Sequence, residues 1–213
     1  MVNAEKIRPG SELPSTTLAR PDDEPTAAAL ITAAVEVMSV QGYHGTSVRD
    51  IAAAAGTSPG VLYHHFGSKQ VLLATMLDRG LDLLVAATEQ ALDLAGDDPA
   101  DRLQAIVEAH VRMHLESQRE SLLGNSELRA LEPGWLRVVI AKRDVQQRIF
   151  DRVVRDGVRR GAFAAPHAED AARFVTAACT AVALWYRPGG PLGPDEIIRR
   201  HQEIALDAVR YHR

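Results

Sequence analysis

The stretch over residues 46–69, TSVRDIAAAAGTSPGVLYHHFGSK, constrains the fold of this 213-residue chain more than any other feature. A first helix is expected after Ser47, which can cap it together with Asp50, three residues later, in a capping-box pattern. Gly56 is placed to end that helix in the left-handed conformation, and Pro59 suits the first turn of the helix that follows. The stretch therefore predicts two short helices about a tight turn, followed by the start of a third.

The second helix of this stretch has the composition of a recognition helix. Thr57 or Ser58 is expected to cap it, and it carries Tyr63, His64 and His65. Two helices about a glycine-containing turn, with a short second helix rich in hydrogen-bonding side chains, are typical of a helix-turn-helix that enters the DNA major groove. A helical hairpin that packs and binds nothing is the alternative, but it does not need three such side chains on an exposed face.

These residues also resemble the N-terminal signature of TetR-type repressors. The matching positions fall in register without a gap: Thr46, Ser47, Ile51, Ala52, Gly56, Ser58, Gly60, Leu62, Tyr63, Phe66 and Lys69. The resemblance implies a DNA-binding repressor, and it implies phosphate contacts from Tyr63, His65 and Lys69. It covers about a fifth of the chain and does not specify an effector or an operator.

The predicted DNA contacts do not depend on a basic field, because the formal net charge of the chain is −4. Between residues 26 and 70, Arg49 and Lys69 are balanced by Glu36 and Asp50. Phosphates are therefore expected to bind backbone N–H groups at helix starts and hydroxyl groups. Thr57, Pro59, Val61 and His64 are placed to face bases, and the full predicted DNA-binding set is Ser47, Arg49, Thr57, Ser58, Pro59, Gly60, Val61, Tyr63, His64, His65 and Lys69.

Helical periodicity continues to the end of the chain and no strand pattern appears, so the predicted fold is all-α. It consists of an N-terminal three-helix helix-turn-helix domain and a C-terminal helical bundle that binds a ligand and dimerises. Residues 1–25, with several prolines and no periodicity, are predicted to be a disordered arm. Residues 26–70 are predicted to form the DNA-binding domain, and residues 71–213 the ligand-binding and dimerisation domain.

The helix predicted over residues 167–187 is apolar on every side between residues 171 and 185, and such a helix must be covered on every side. One face can pack on the bundle and the other on a symmetry mate. The resemblance to TetR repressors supports a homodimer, because that family dimerises through its last two long helices as a four-helix bundle. A fully internal helix in a monomer is the alternative.

Candidate ligand-binding side chains lie on several C-terminal helices. Arg143 shares a helical face with Gln147 and Phe150 and is expected to point into the bundle, where a buried arginine needs an anionic partner. That partner is either an internal carboxylate, such as Glu127 or Glu108, or a bound acid. The predicted ligand-binding set is His110, Met113, His114, Arg143, Gln147, Phe150, Phe174 and Trp185.

His110 and His114 also stand four residues apart, a spacing that can bind a metal ion. No HExxH pattern accompanies them, so a polar pocket lining or a surface position is the preferred interpretation, and no metal or cofactor is predicted. No nucleophile elbow, glycine-rich phosphate loop or paired-carboxylate site is evident, so the chain is not expected to be an enzyme.

Later phrases resemble a subgroup of TetR regulators that governs lipid and steroid breakdown. They are ELRAL followed by Pro133, then KRD, GxxxGxF and WYRPGG, over roughly residues 125–200. Members of that subgroup often sense acyl-CoA thioesters, so the resemblance implies an acyl-CoA or another lipid-like acid as the effector. Arg143 and neighbouring basic groups would then contact CoA phosphates or a carboxylate.

Together these features predict a one-component transcriptional repressor. It is expected to bind a palindromic operator as a homodimer in the cytoplasm and to be released by a small hydrophobic or acyl-CoA-type ligand. The lone Cys179 suits a reducing cytosol, no signal peptide is evident, and the apolar stretch over residues 174–185 is too short to span a bilayer. The alternatives are an effector-free architectural DNA-binding protein and a helical enzyme.

Overall fold

The computed structural model describes residues 16–212, and within them it contains nine α-helices, one short 3-10 helix and no β-strand. The all-α fold is therefore confirmed. None of the described helices is both long and apolar enough to cross a membrane. The helices are α1 (Pro25–Gly45), α2 (Val48–Ala54), α3 (Pro59–Phe66), α4 (Lys69–Leu94), α5 (Pro99–Glu116), α6 (Gln118–Ser126), the 3-10 helix (Glu127–Ala130), α7 (Pro133–Arg159), α8 (Ala168–Trp185) and α9 (Pro194–Ala208).

The described residues form two compact units. The first comprises the chain up to Gly80 together with Arg119–Val139, and the second comprises Leu81–Gln118 together with the chain from Ile140 onward. The division falls within α4, beyond the domain boundary predicted at residue 70. Helices α4 and α7 each contribute residues to both units.

In the first unit, α1 packs against α2 and α3. Leu30, Ile31 and Met38 of α1 are fully buried, as are Ile51 of α2 and Leu62 of α3. Gly42 interrupts α1 near its end, where it adopts a φ of +70° before one further turn. This aliphatic core holds the two short helices of the 46–69 stretch in place.

Residues 16–24 also pack within the first unit. Leu18 is 3% exposed, and the Arg79 guanidinium donates to both Asp23 carboxylate oxygens, at 2.6 and 2.8 Å, and to the Leu18 carbonyl at 3.0 Å. The hydrogen bond from Arg79 lowers the pKa of Asp23. The disorder predicted for residues 1–25 is therefore wrong for residues 16–24, because an ion pair and a buried leucine anchor them; residues 1–15 lie outside the described part of the chain.

In the second unit, α5 packs against both α8 and α9. Its core is aliphatic, with Leu103, Ile106 and Val107 of α5 fully buried against Phe150 of α7. Cys179 of α8 is 1% exposed, and burial raises its pKa to about 12, as expected of a small buried apolar side chain. The opposite face of α8 exposes three large apolar residues, Phe174, Leu184 and Trp185.

Candidate nucleic-acid interface and ligand site

The connection that leads into α2 is capped as the sequence predicts. The Ser47 hydroxyl accepts the Asp50 N–H at 3.1 Å, while the Ser47 N–H donates to the Asp50 carboxylate at 2.8 Å. These hydrogen bonds lower the pKa of Asp50. Gly56 then adopts a φ of +65°, the left-handed conformation that favours glycine, and turns the chain into α3. The predicted helix-turn-helix geometry is present.

The start of α3 differs from the prediction in one respect. Ser58 has the extended conformation of an N-cap residue and Pro59 occupies the first turn, but the Ser58 side chain makes no capping hydrogen bond. Of the two predicted cap residues, Ser58 therefore occupies the N-cap position, but without a hydrogen bond from its side chain. Ser58 is exposed, so its hydroxyl lies at the surface beside the first turn of α3.

Along α3 the side chains separate into an exposed face and a buried one. Tyr63 is 54% exposed and His64 is also exposed, whereas Leu62 is fully buried. The predicted DNA-binding residues that are exposed are Ser47, Arg49, Ser58, Gly60, Tyr63 and His64, and those that are half-buried are Thr57, Pro59, Val61, His65 and Lys69. We call Ser58, Gly60, Tyr63 and His64 the recognition surface.

Lys69 has a structural use that the sequence did not indicate. Its ammonium group donates to the carbonyls of Tyr43 at 2.8 Å and Thr46 at 2.5 Å, and it lies 4.1 Å from the centre of the Tyr43 ring. Burial lowers the pKa of Lys69. An ammonium group has three donors, so two of them join the start of α4 to the connection between α1 and α2. A phosphate contact from Lys69 would use the third.

His65 is the other predicted phosphate contact that is largely covered. Its side chain is 14% exposed, and its Nδ1 lies 3.8 Å from a carboxylate oxygen of Glu24. Its ring packs edge-on against that of His64, with centroids 5.2 Å apart. Tyr63 and His64 therefore dominate the exposed face of α3.

A chain of polar side chains crosses the apolar interior of the second unit. His110 is 1% exposed; its Nε2 lies 2.9 Å from the Thr180 hydroxyl, and its Nδ1 lies 3.1 Å from the side-chain nitrogen of Gln146. The same Gln146 nitrogen donates to the Thr88 hydroxyl at 2.9 Å. We call Thr88, His110, His114, Gln146 and Thr180 the buried polar cluster.

The hydrogen-bond pattern fixes the proton on His110. The Gln146 amide donates to Nδ1, so a neutral His110 carries its hydrogen on Nε2 and donates it to Thr180. The Thr180 hydroxyl in turn donates to the Thr176 carbonyl at 3.0 Å. The His110 ring is thus held on both nitrogens by neighbours from two other helices.

His114 stacks on His110, with ring centroids 4.6 Å apart and planes 5° from parallel. Its Nδ1 donates to the His110 carbonyl at 2.9 Å. Burial, followed by the proximity of His114, holds the pKa of His110 well below its usual value. Burial and the positive charge of Arg143 lower the pKa of His114, and burial lowers the pKa of Arg143 itself. Both imidazoles are therefore neutral at pH 7.

One acceptor in the buried polar cluster is unsatisfied. Gln146 is 3% exposed, and within residues 16–212 its side-chain oxygen Oε1 has no hydrogen-bond partner. Such a buried acceptor costs about 1–3 kcal/mol of stability unless a donor reaches it. The cluster therefore contains one acceptor that the residues around it leave unused. Over the same residues, no group of three or more His, Cys, Asp or Glu is placed to hold a metal ion.

The structure brings together only part of the predicted ligand-binding set. Phe150 is fully buried and meets His110 edge-on at 5.5 Å, whereas Met113 is half-buried and the Gln147 amide donates to Asp151 at 2.8 Å. Arg143 is half-buried near His114. The two carboxylates proposed as its partners have other contacts: Glu108 accepts from Arg112 at 2.9 Å, and Glu127 accepts from Ser126 at 3.1 Å.

Phe174 and Trp185 lie outside this group. Phe174 is 59% exposed and Trp185 is 47% exposed, stacked 6.0 Å from the ring of His201. Their expected place in the ligand chamber is therefore corrected to the exposed face of α8. The physical reason is that α8 is apolar on nearly every side, so periodicity does not distinguish its inner face from its outer one.

Comparison with known proteins gives matches over both units. Residues 30–76 match the family described as bacterial regulatory proteins, tetR family, and residues 96–209 match the tetracyclin repressor-like C-terminal domain. The chain is 30% identical over 182 residues to the HTH-type transcriptional repressor KstR2 of Mycobacterium tuberculosis, which covers 84% of this chain and 90% of that protein.

Two solved structures have a similar fold along most of the chain. A bacterial regulatory protein in the tetR family from Rhodococcus RHA1 has a TM-score of 0.85 at 30% identity, over 90% of this chain and all of that one. The ketosteroid transcriptional regulator KstR2 of Mycobacterium tuberculosis has a TM-score of 0.81 at 25% identity, over 92% of this chain and all of that one.

Proposed function

This chain belongs to the TetR family of bacterial regulatory proteins, and from that premise we propose that it represses transcription by binding a palindromic operator as a homodimer. A small hydrophobic or acyl-CoA-type ligand bound in the second unit releases it from the operator. The observation that carries the proposal is the exposed face of α3, where Tyr63 and His64 project from a short helix that follows the capped α2 and the left-handed turn at Gly56.

The predicted DNA-binding residues of α3 divide into those that position the helix and those that read bases. The Tyr63 hydroxyl and backbone N–H groups at the start of α3 contact phosphates, which sets the position of the helix without reading bases. His64 reaches a base edge, and Pro59 and Val61 contact thymine methyl groups. The remaining predicted DNA-binding residues, some of which lie outside α3, support these contacts.

Dimerisation uses the exposed apolar face of the second unit. Phe174, Leu184 and Trp185 of α8 and Ile204 of α9 are each between 47% and 67% exposed. Exposed large apolar side chains of this kind favour self-association, and a two-fold axis presents the same residues from both subunits. The dimer then offers two recognition helices to half-sites about one helical turn of DNA apart, which requires a palindromic operator.

The effector binds at the buried polar cluster. Its apolar part displaces contacts in the aliphatic core, a donor group satisfies the Gln146 oxygen, and Arg143 attracts an acidic group. The relative described as a ketosteroid transcriptional regulator supports an apolar ligand. Helix α4 carries residues of both units, so a shift of its distal half is transmitted to the start of the helix beside α3.

The ligand can weaken operator binding only by the free energy with which it prefers the non-binding state, typically about 1–3 kcal/mol. By the same linkage, operator DNA weakens ligand binding by an equal factor. The relatives compared above are transcriptional regulators, and we assign no catalytic step. An operator-binding protein acts where the DNA is, so we place it in the cytoplasm.

The proposal is tested with a fluorescent operator fragment and the full chain. Anisotropy titrations should give saturable binding to a palindrome, and a panel of acyl-CoAs, fatty acids and planar hydrophobic compounds should contain members that lower the affinity. The same members should raise the melting temperature, because a ligand of the folded state stabilises it by mass action. Operator binding that no ligand alters would instead support an effector-free architectural protein.

Arg143→Ala tests the acidic part of the effector. It should remove much of the response to an anionic ligand and leave operator affinity near that of the wild type. Unfolding of this variant would identify Arg143 as a structural ion-pair partner. A folded variant with a normal response would exclude the acid-binding role.

A further inference from the structure

A groove of about 450 Å³ lies between α4 and α7 on the second unit, apart from the buried polar cluster. Its rim on α7 consists of four arginines, Arg148, Arg152, Arg155 and Arg159. They follow one another at spacings of four, three and four residues, which places them along one face of the helix over about 16 Å. The groove is therefore a continuous line of guanidinium groups.

Neighbouring guanidinium groups in this row repel each other, and the pairing of Arg159 with Asp156 offsets only part of that repulsion. Like charges three or four residues apart on a helix repel each other and destabilise it. The one carboxylate in the lining is Glu89 of α4, so the groove carries a clear excess of positive charge. A bound polyanion would remove the repulsion.

Other arginines of the same unit are engaged differently. Arg112 pairs with Glu108 at 2.9 Å, and Arg199 and Arg200 both pair with Glu196, at 2.7 and 2.6 Å. In the groove, Arg159 pairs with Asp156 and Arg155 donates to a backbone carbonyl at 3.2 Å. Arg148 and Arg152 make no hydrogen bond or ion pair with any residue between 16 and 212.

We propose that this groove binds a small ligand that carries two or more phosphate groups, held by Arg148 and Arg152 and extended toward Arg155. A guanidinium group matches phosphate bidentately, and a row of them suits successive phosphates better than a single carboxylate. The lining also includes the apolar Val145 and Ile149, which suit a planar ring. Glu89 on the opposite wall can accept a hydrogen bond from an amino or hydroxyl group. These features fit a nucleotide with several phosphates.

The groove and the buried polar cluster involve residues that are neighbours in the sequence. Val145 and Glu89 of the lining are the sequence neighbours of Gln146 and Thr88, whose side chains are joined by the 2.9 Å hydrogen bond between α4 and α7. A single molecule could place its phosphates in the groove and its apolar end at the cluster. That the groove ligand is also the effector rests on the proposed function. That the groove binds phosphates rests only on its arginines.

The site is tested by calorimetric titration of the full chain with coenzyme A, with pantetheine as the analogue that lacks the nucleotide. The variant is Arg148→Gln combined with Arg152→Gln. The control is Arg129→Gln combined with Arg137→Gln, which removes the same charge at two exposed positions outside the groove. The wild type and the control should bind coenzyme A alike, and the groove variant should bind it about tenfold more weakly for each guanidinium removed. The three proteins should have the same affinity for pantetheine.

Three results would overturn the site. They are no binding of coenzyme A by the wild type, equal binding by the folded groove variant and its control, and equal competition by inorganic phosphate at the same concentration. Measuring release of the operator by an acyl-CoA distinguishes failure of the groove site from failure of the proposed function. If an acyl-CoA releases the groove variant and the control at the same concentration, the groove assignment fails and the repressor function stands. If coenzyme A binds through the arginines but no acyl-CoA releases the operator, the groove stands and the effector class fails.

Discussion

The recognition surface and the buried polar cluster both combine histidine with hydroxyl side chains, yet they are built in opposite ways. The recognition surface comes from one short helix and the turn before it, and its side chains are exposed. The cluster takes residues from α4, α5, α7 and α8, and hydrogen bonds between different helices join Thr88, His110, Gln146 and Thr180. Residues that contact an external partner can be encoded locally, whereas an internal polar site requires the completed fold.

The difference predicts how substitutions act in the two regions. A buried polar group costs free energy unless its hydrogen bonds are made, so changes around the cluster alter the stability of the fold. Changes on the recognition surface alter DNA binding and leave stability near that of the wild type.

The largest effect is expected from Phe150→Ala. Removing this fully buried ring beside His110 should lower the free energy of unfolding by about 3–5 kcal/mol, because a cavity is left in a packed core. Phe174→Ala, at a ring that is 59% exposed, is the matched control and should change it by no more than about 0.5 kcal/mol at a concentration where self-association is weak. Denaturant unfolding measures both, and equal losses would contradict the assignment of inner and outer faces.

Lys69→Met comes next. It removes the donors to the Tyr43 and Thr46 carbonyls and should lower the free energy of unfolding by about 2 kcal/mol, since hydrogen bonds to charged groups are worth about 1.5–3 kcal/mol. Arg49→Met, at an exposed position, is the control and should be neutral. A Lys69 variant with wild-type stability and lost DNA affinity would mean that phosphate binding is its main role.

Acidification should also lower stability, by an amount that grows from nothing at pH 7. His110 and His114 have lowered pKa values in the folded protein, so below the ordinary histidine pKa of about 6.5 the unfolded chain binds protons that the folded chain does not. The free energy of unfolding should be constant between pH 7 and 8. As the pH is lowered further, it should fall by up to about 1.4 kcal/mol per pH unit for each histidine.

The lowered pKa values of Asp23 and Asp50 act only at more acidic pH, so the window just below pH 6.5 isolates the histidines. Thermal unfolding across that window should show a shallower slope for His114→Asn. An unchanged slope in that variant would contradict the proposal that the cluster is neutral because it is buried.

Features that depend on neighbouring residues could be predicted from the sequence, and features that depend on the completed fold could not. Ser47, Asp50 and Gly56 could be placed from the sequence because a cap or a left-handed turn depends on neighbours within a few residues. The partners of His110 could not, because Gln146 and Thr180 lie 36 and 70 residues away along the chain.

Two other parts of the chain differ from the prediction for related reasons. The prolines before α1 suggested disorder, but Arg79, 56 residues beyond Asp23, anchors that segment. Phe174 and Trp185 were expected in the ligand chamber because the sequence of α8 is apolar all round. Composition and periodicity describe an element by itself, whereas burial depends on what packs against it.

The central claim, that the exposed face of α3 binds DNA independently of the fold's interior, is tested most directly by anisotropy titrations against a randomised operator library. Tyr63→Ala should weaken binding to all sequences, because a phosphate contact carries no base information, and His64→Ala should flatten the preference among sequences. Both variants should keep the wild-type free energy of unfolding to within about 0.5 kcal/mol. Equal effects of the two changes across the library, or unchanged binding by Tyr63→Ala, would contradict the account.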